Sequence, residues 1–485
     1  MTVSPCPADS FIDSKKLYQF LTAIQKCCLK NHSKQIVSIS VKVDWSDPLL
    51  IFERIAVQDK IHFYWEHPFQ KKALIAIDAV VKLETSGSKR FHESENFVKN
   101  CLQEIKYFPD NHRENTPFFS PHFFCSFSFF DYSNLGDYPF PEARVFLPRW
   151  QWVIQNDNCW LIANSKIDEN TSINEFLNDF RKIISDVQIL KSQSYNNQVL
   201  PESKFTKKLV SNPNNFKLSV LSALESIKSN HLSKVVLAQA LDISSNNCFN
   251  LHNSLNNLRI LHPNCYVFST SNGKGQNFIG ASPERLISIH QQHLVTDALA
   301  GSAPRGQNPI EDEENARGLI YSQKERHEHS LVIDFIVQRL SQLNLAPQVR
   351  SPKLRKLSNI QHLWTPIEAV VGNEVHPLQI IAQLHPTPAV AGVNPDIACK
   401  EIRRYENFER GLYAAPLGWI DSLGNSEFIV GIRSALIDNQ IVSQKDRRDY
   451  RARLYAGNGI VFGSNPQQEL MEIELKFQCL LKALE

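Results

Sequence analysis

The stretch from Tyr455 to Lys476 joins the closely spaced Gly457 and Gly459, a short apolar strand and a helix with regularly spaced charges. Glu469 and Glu472 are three residues apart and Glu472 and Lys476 are four apart, so a helix carries all three on one side. Such a side can hold a cation and an anion together, or it can be a solvated face with one intrahelical ion pair. A second acidic helix elsewhere in the chain favours the first interpretation.

That second helix is predicted from Asp312 to Leu343, where apolar residues recur at helical spacing. Glu325 and Glu328 repeat the spacing of the C-terminal pair. His327 and His329 are two residues apart and point to different sides, so we do not predict a zinc site. Two carboxylate pairs on separate helices form an oxygen-rich site that suits magnesium.

Composition limits the other possibilities. Lys plus Arg total 52 against 50 for Asp plus Glu, so no global field would attract nucleic acid or an anionic membrane. The N-terminus lacks the pattern of a signal peptide, and no run approaches the roughly 18 apolar residues of a membrane helix. Ten scattered cysteines without a C-x-x-C pair indicate buried free thiols. A soluble, cytoplasmic protein is expected.

A chain of 485 residues exceeds what one compact core usually holds, so two halves or one large multilayered domain are expected. FFCSFSFFDYS from Phe123 and ARVFLPRWQWVI from Ala143 suit half-buried strands. A polar passage rich in Asn, Ser and Gln follows, and we place a boundary near residue 205. The expected domains are an N-terminal α+β half, 1–205, and a catalytic region, 206–485.

Two residues of the second half are candidates for proton transfer. Lys234 stands at the entrance of the predicted strand KVVLAQAL, where it either reaches out to solvent or is aimed at a cleft as a base. Glu284 lies in a turn between predicted strands, where it is either solvated or a sheltered general acid. Further on, Gly301 and Ser302 lie in a predicted loop and allow a polar ligand to approach closely.

Ordered motifs between about residues 214 and 482 now carry a resemblance. They are Lys234 in KVVLA, Glu284 in FIGASPE, LAGS with Arg305, RHEH, His385 in HPTPAVAG, GLYAAPLGWID, Arg433 in GIRSA, and YAGNGIVFGS with its following Glu, Glu and Lys. The chain resembles the chorismate-utilising enzymes, which include isochorismate synthases, salicylate synthases, anthranilate synthase component one and aminodeoxychorismate synthase component one. FSFFDYS and FLPRW resemble the N-terminal part of isochorismate synthases. The implied fold is α+β, with large, mostly antiparallel sheets packed face to face and helices on the outside.

The resemblance also implies an activity. Lys234 would activate a water that attacks carbon 2 of chorismate, and Glu284 would protonate the hydroxyl that leaves carbon 4, giving isochorismate. Glu328 and Glu472 match the ligands of the cofactor Mg²⁺, and Glu325 and Glu469 match carboxylates that hold its waters. The resemblance further implies substrate-binding roles for Ser302, His385, Arg433, Gly457, Gly459 and Lys476.

The branch of the family rests on fewer residues. Ala300 stands where aminodeoxychorismate synthases of this type carry a lysine nucleophile, and anthranilate synthases need ammonia from a glutaminase. We therefore expect a monomer without a glutaminase subunit that binds chorismate and makes isochorismate for menaquinone or phylloquinone synthesis. A salicylate synthase, which adds elimination of pyruvate, and a regulator that binds chorismate without turnover remain as alternatives.

The chain departs from the family pattern at several positions. Gln239 replaces an arginine, Asn458 the alanine common in GAGIV, and Ala391 the first glycine of AVGG. The segment 443–453 looks like an insertion in a hairpin that is normally short. Its charge predicts a solvated loop, with a docking role as the alternative.

Overall fold

The computed structural model describes residues 13–56, 59–108, 120–133, 138–190, 195, 205–210, 212–357, 360–444 and 447–485, with the backbone alone in 441–444 and 447–449. These residues form eleven α-helices and twenty β-strands. The helices are α1 Ser14–Asn31, α2 Pro48–Ile55, α3 Arg90–Glu104, α4 Ile173–Gln188, α5 Pro213–Lys228, α6 Leu251–Leu261, α7 Pro309–Tyr321, α8 Gln323–Ser341, α9 Pro377–Leu384, α10 Pro395–Tyr405 and α11 Pro466–Leu484.

The strands are, in chain order, β1 Gln35–Val43, β2 His62–His67, β3 Lys72–Thr85, β4 Ile105–Phe108, β5 His122–Phe127, β6 Ala143–Gln155, β7 Asn158–Ile167, β8 Thr206–Leu209, β9 Lys234–Ser245, β10 Tyr266–Ser271, β11 Gln276–Ser282, β12 Arg285–His290, β13 His293–Pro304, β14 Gln348–Val349, β15 Lys353–Lys356, β16 Ile360–Val370, β17 Pro416–Asp421, β18 Ser426–Val430, β19 Ser434–Gln444 and β20 Arg447–Val461.

The strands form two series that share β6. One series runs β4-β1-β7-β6-β3-β2-β10-β11-β19-β20-β9-β8. The other runs β6-β5-β17-β18-β12-β13-β16, with β14 and β15 also on β16. Among these pairs, β1–β4 alone is parallel. The predicted α+β fold of large, mostly antiparallel sheets with outer helices is confirmed.

Strands from both sides of residue 205 belong to the same sheets. β2 pairs with β10, β5 pairs with β17, and the buried apolar side chains form one continuous core. Most of the polar passage before residue 205 lies outside the described residues. The boundary near residue 205 therefore stays a prediction.

The predicted aromatic strands are present, but β5 is buried on both faces instead of one. Phe123 directs its ring toward Phe97 of α3, at 6.4 Å between centroids, while Phe124 lies 5.1 Å from Phe63 of β2. Helix and sheet thus cover opposite faces of the same strand. A strand buried in this way is a nearly continuous apolar run instead of an alternating one, and here Phe123, Phe124 and Cys125 follow one another directly.

The long helix predicted from Asp312 to Leu343 is two helices. Ser322 leaves the helical conformation and its Oγ accepts a hydrogen bond from the Glu325 N–H at 3.3 Å, so it caps α8. The signal was present as S-x-x-E, the pattern of a capping box. The break places Glu325 in the first turn of α8, with Glu328 one turn further on.

The expected loop at 443–453 is for the most part a continuation of β19 and β20, whose residues 442–444 pair with 447–449. Only residues 445 and 446 of it lie outside the described part of the chain. In the described residues, no helix has the length and apolar character needed to cross a bilayer.

Candidate active site

Lys234 begins β9 and is only 1% exposed. Its Nζ lies 2.8 Å from Oε1 of Glu328, which projects from α8. Gly459 of the neighbouring strand β20 lies against this pair. A Cβ atom at position 459 would be 2.6 Å from Glu328 Oε1 and 3.0 Å from Lys234 Cε, so a larger residue there would clash with the pair. The second glycine of the C-terminal motif therefore leaves room for a buried ion pair.

Glu284 occupies the turn between β11 and β12 and is 4% exposed. Its backbone is fixed, since its N–H donates to Ser282 Oγ at 3.2 Å and its carbonyl accepts from the Val430 N–H at 3.1 Å. Burial raises the pKa of its carboxyl group to about 8, although the positive charge of Lys234 opposes the rise. Glu284 thus carries a proton at neutral pH and can donate it.

Arg433 lies between β18 and β19 with a left-handed backbone, φ 50°. The residue is 8% exposed, and its Nη1 has no hydrogen-bond partner among the described residues. Its Nη2 lies 3.4 Å from Nε2 of His362, and no described carboxylate is within ion-pair distance. A buried guanidinium in this condition is suited to bind an anion.

One pocket connects these groups. The predicted residues on its lining are Glu284, Ser302, Glu328, Arg433, Gly457, Gly459 and Lys476. Lys234 lies directly behind Glu328 through the ion pair. Apolar and aromatic walls come from Val236, Leu299, Ala389, Val390, Ile432, Tyr413 and Tyr455.

His385 is placed elsewhere. Its Nε2 lies 3.0 Å from the carbonyl oxygen of Phe129, and its ring packs edge-on against the ring of Phe129 and near that of Phe91. The segment HPTPAVAG reaches the pocket through Ala389 and Val390 instead. We therefore leave His385 out of the groups proposed to contact a ligand.

Sequence reasoning missed His362, which β16 places on the pocket wall. Its Nδ1 lies 2.9 Å from Ser302 Oγ, and burial together with the charge of Arg433 lowers its pKa to about 3. The ring is therefore neutral and links Ser302 to Arg433. The available signal was a polar residue within the apolar strand sequence IQHLW.

Beside the pocket lies a carboxylate cluster formed by Glu325 and Glu328 of α8 and Glu469 and Glu472 of α11. Burial and repulsion between these carboxylates raise the pKa of Glu325 and of Glu469. No three such side chains in the described ranges are close enough to hold a metal ion as they stand. An oxygen-only set with excess negative charge nevertheless fits Mg²⁺, which binds few carboxylates and keeps several waters.

The departure at Asn458 falls inside this region. Asn458 Nδ2 donates to Glu469 Oε2, while its Oδ1 accepts from the Gly459 N–H at 3.1 Å and from Lys476 Nζ at 3.4 Å. Lys476 also donates to the Gly457 carbonyl at 2.8 Å and pairs with Glu472 at 2.9 Å. The amide connects the glycine strand to the charged face of α11.

The other departures lie away from these charges. Gln239 is buried, and its Oε1 lacks a partner among the described residues. The carbonyl of Ala391 accepts from the Val236 N–H at 2.7 Å. Neither substitution removes a charged group from the pocket.

Comparison with known proteins gives consistent matches. Residues 22–485 match the family described as chorismate binding enzyme. Isochorismate synthase MenF of Bacillus subtilis is 28% identical over 96% of this chain and 97% of its own length. The salicylate biosynthesis isochorismate synthase of Pseudomonas aeruginosa is 37% identical over 55% of this chain and 53% of its own length.

Solved structures agree with these matches. The menaquinone-specific isochorismate synthase MenF of Escherichia coli superposes with a TM-score of 0.73 at 25% identity, covering 96% of this chain and all of that one. Anthranilate synthase component I of Streptococcus pneumoniae superposes with a TM-score of 0.64 at 19% identity, covering 84% of this chain and 92% of that one. The second likeness concerns the fold alone.

Proposed function

Because the chain belongs to the chorismate binding enzyme family, we propose that it is an isochorismate synthase that interconverts chorismate and isochorismate. In the forward direction a water oxygen bonds to carbon 2, the ring double bonds shift, and the bond between carbon 4 and its hydroxyl breaks. One water is consumed and one is released, so no other co-substrate is needed.

The observation that carries this proposal is the buried, protonated Glu284 in the same pocket as the Lys234–Glu328 pair. Hydroxide leaves poorly, and a general acid with a pKa near 8 donates its proton readily at neutral pH. A protein that only bound chorismate would gain nothing from burying an unpaired carboxyl group, which costs stability unless it is compensated.

Lys234 takes the complementary role of base. The amine first gives up the proton that pairs it with Glu328, and in the neutral form it then removes a proton from the attacking water, while Glu284 gives its proton to the departing hydroxyl. After the forward reaction Lys234 is protonated and Glu284 is ionised. Loss of a proton from Lys234 to solvent and uptake of one by Glu284 restore both groups for the next forward turnover, and in the reverse reaction the two groups exchange roles.

Chorismate is a dianion, and the pocket offers separate groups for its carboxylates. Arg433 presents the unpartnered Nη1, and Lys476 lies beside the backbone of Gly457 and Gly459. Ser302, oriented by His362, supplies a hydroxyl on the same lining. A bidentate arginine contact would fix the orientation of the ring between Lys234 and Glu284.

We further propose Mg²⁺ as the cofactor. Glu328 and Glu472 would hold the ion, and Glu325 and Glu469 would hold its waters. When bound, the ion would polarise the substrate carboxylate that is conjugated with the ring. The excess negative charge of the carboxylate cluster supports this assignment.

The relatives named MenF support a role in menaquinone synthesis, with phylloquinone synthesis as the related route. The proposal places the enzyme in the cytoplasm, because the nine described cysteines are all unpaired, as is usual in a reducing compartment. We propose that it needs no glutaminase, since water is the nucleophile, and that it acts as a monomer.

The test is incubation of the purified protein with chorismate and Mg²⁺, without ammonia or glutamine, and chromatography of the products with and without chelator. Isochorismate in equilibrium with chorismate, lost on chelation, is the expected result. Salicylate with pyruvate would instead identify a salicylate synthase. Unchanged chorismate that still binds would identify a regulator.

A further inference from the structure

Lys324, which precedes the carboxylates of α8, lies between the two helices of the carboxylate cluster. Its Nζ is 3.4 Å from Glu469 Oε1 and 3.7 Å from Glu325 Oε1. Glu325 and Glu469 are the two carboxylates for which the proposed function assigns the waters of the metal ion. The ammonium group therefore lies where it can balance the negative charge of these two carboxylates when no metal ion is bound.

Glu469 has both oxygens engaged. Oε1 faces Lys324, and Oε2 accepts from Asn458 Nδ2. The orientation of the Asn458 amide is fixed, because its other atom faces two donors, the Gly459 N–H and Lys476 Nζ. With Oε2 held by Asn458, the oxygen that remains for a water of the metal ion is the one paired with Lys324.

The three lysines of the cluster differ in how easily they can leave. Lys234 pairs with Glu328 and is 1% exposed, and the Lys476 side chain pairs with Glu472 and is 19% exposed. The Lys324 side chain is 36% exposed. A lysine at that exposure can turn its ammonium group into water while its stem stays packed. Lys234 and Lys476 could not turn into water without leaving the pocket in which they are proposed to act.

We propose that Lys324 is the resident counter-ion of the carboxylate cluster and that a divalent cation must displace it from Glu325 and Glu469. The inference rests on the proposed metal site. It assigns to Lys324 a positioning role: it holds the two helices at their metal-free spacing and sets how much cation is needed to fill the site.

The test measures Mn²⁺ binding without substrate, from the free-ion signal in electron paramagnetic resonance, with Mg²⁺ as competitor. Lys324→Gln should bind Mn²⁺ about three- to tenfold more tightly than the parent, since the ion pairs between the partly exposed lysine and the two carboxylates no longer compete. Lys324→Arg should bind like the parent. Lys60→Gln removes a charge paired with the partly exposed Asp78 at 2.9 Å, far from the cluster in the sequence, and should also bind like the parent.

A second readout does not depend on affinity. Without metal, Lys324→Gln should melt at a lower temperature than Lys60→Gln, because the carboxylates of the cluster then repel one another. Mg²⁺ should raise the melting temperature of Lys324→Gln by more than that of Lys60→Gln. Unchanged or weaker Mn²⁺ binding by Lys324→Gln would overturn the counter-ion role and leave the metal site intact. Absence of Mn²⁺ and Mg²⁺ binding by the parent would overturn both the counter-ion role of Lys324 and the proposed metal site.

Discussion

Two buried arginines near strand β9 have opposite surroundings. Arg410 is fully buried, and its nitrogens donate to both oxygens of Glu406, at 2.6 and 2.8 Å, and to the carbonyls of Val390 and Val236, at 2.8 Å each. We call this group the closed cluster. Arg433 in the pocket has an unpartnered Nη1 and no described carboxylate beside it.

The carboxyl groups of the two regions differ in the same way. Glu406 accepts from Arg410 and from the Ala238 N–H at 2.8 Å. Glu284 has no ion pair or side-chain hydrogen bond to its carboxyl group among the described residues, and burial keeps it protonated. Charges that serve the fold are thus matched inside the fold, whereas charges that serve a ligand stay incomplete until the ligand arrives.

The largest expected effect is on catalysis, at Glu284 in the pocket. Glu284→Gln removes the acid but keeps the size of the side chain, so turnover of chorismate should fall by about 10²- to 10⁴-fold. Product chromatography over time measures the rate, and chorismate binding and circular dichroism should stay close to those of the parent. Full activity in this variant would contradict the role of Glu284.

The closed cluster should instead respond in stability. Arg410→Met leaves Glu406 buried without its partner, which should lower the free energy of unfolding by about 3 to 5 kcal/mol in urea denaturation. Replacing both residues, Arg410→Met with Glu406→Leu, should recover part of that loss because no unpaired charge remains. A loss below about 1 kcal/mol in the single variant would mean that the cluster does not support the fold.

Arg433→Met sharpens the contrast between the two arginines. Its free energy of unfolding should stay within about 1 kcal/mol of the parent, because the only partner lost among the described residues is the neutral ring of His362, at 3.4 Å, and no carboxylate is left unpaired. Its kcat/KM should fall by an amount that corresponds to a loss of about 2 to 4 kcal/mol in transition-state stabilisation, because a buried contact to a substrate carboxylate disappears. Arg433→Lys should keep part of the activity. A destabilisation as large as that of Arg410→Met would erase the distinction.

Local sequence patterns predicted much of the fold and part of the site. The carboxylate pairs follow from helical spacing, and Lys234 stands at the entrance of its strand as predicted, because both features depend on neighbours in the sequence. The capping residue Ser322 was equally local and still went unrecognised within the helical periodicity. Here the local hydrogen bond outweighed the periodicity.

Other features depend on partners that are far apart in sequence. His362 contacts Arg433 only because β16 lies next to the β18–β19 turn. Arg410 donates a hydrogen bond to the carbonyl of Val236, which lies 174 residues earlier in the chain. The two-sided burial of β5 likewise comes from α3 and β2. No periodicity in one segment encodes such meetings, so only the resemblance or the structure supplies them.

The smallest expected effect is the pH dependence of the open pocket. Since Glu284 must be protonated to act, kcat/KM for chorismate should halve near pH 8 and then fall about tenfold for each further pH unit.

The same carboxyl group makes stability depend on pH. The pKa of Glu284 is near 4.5 in the unfolded chain and higher in the folded state, so protonated Glu284 favours the folded state fully below about pH 4.5, and this contribution is lost as pH rises through 8. Urea denaturation of Glu284→Gln should lack that decline, which separates Glu284 from Asp421, whose pKa burial raises to about 6. An activity profile without a falling limb near pH 8 would contradict the raised pKa of Glu284, and the carboxyl groups of the two regions would then no longer differ in this way.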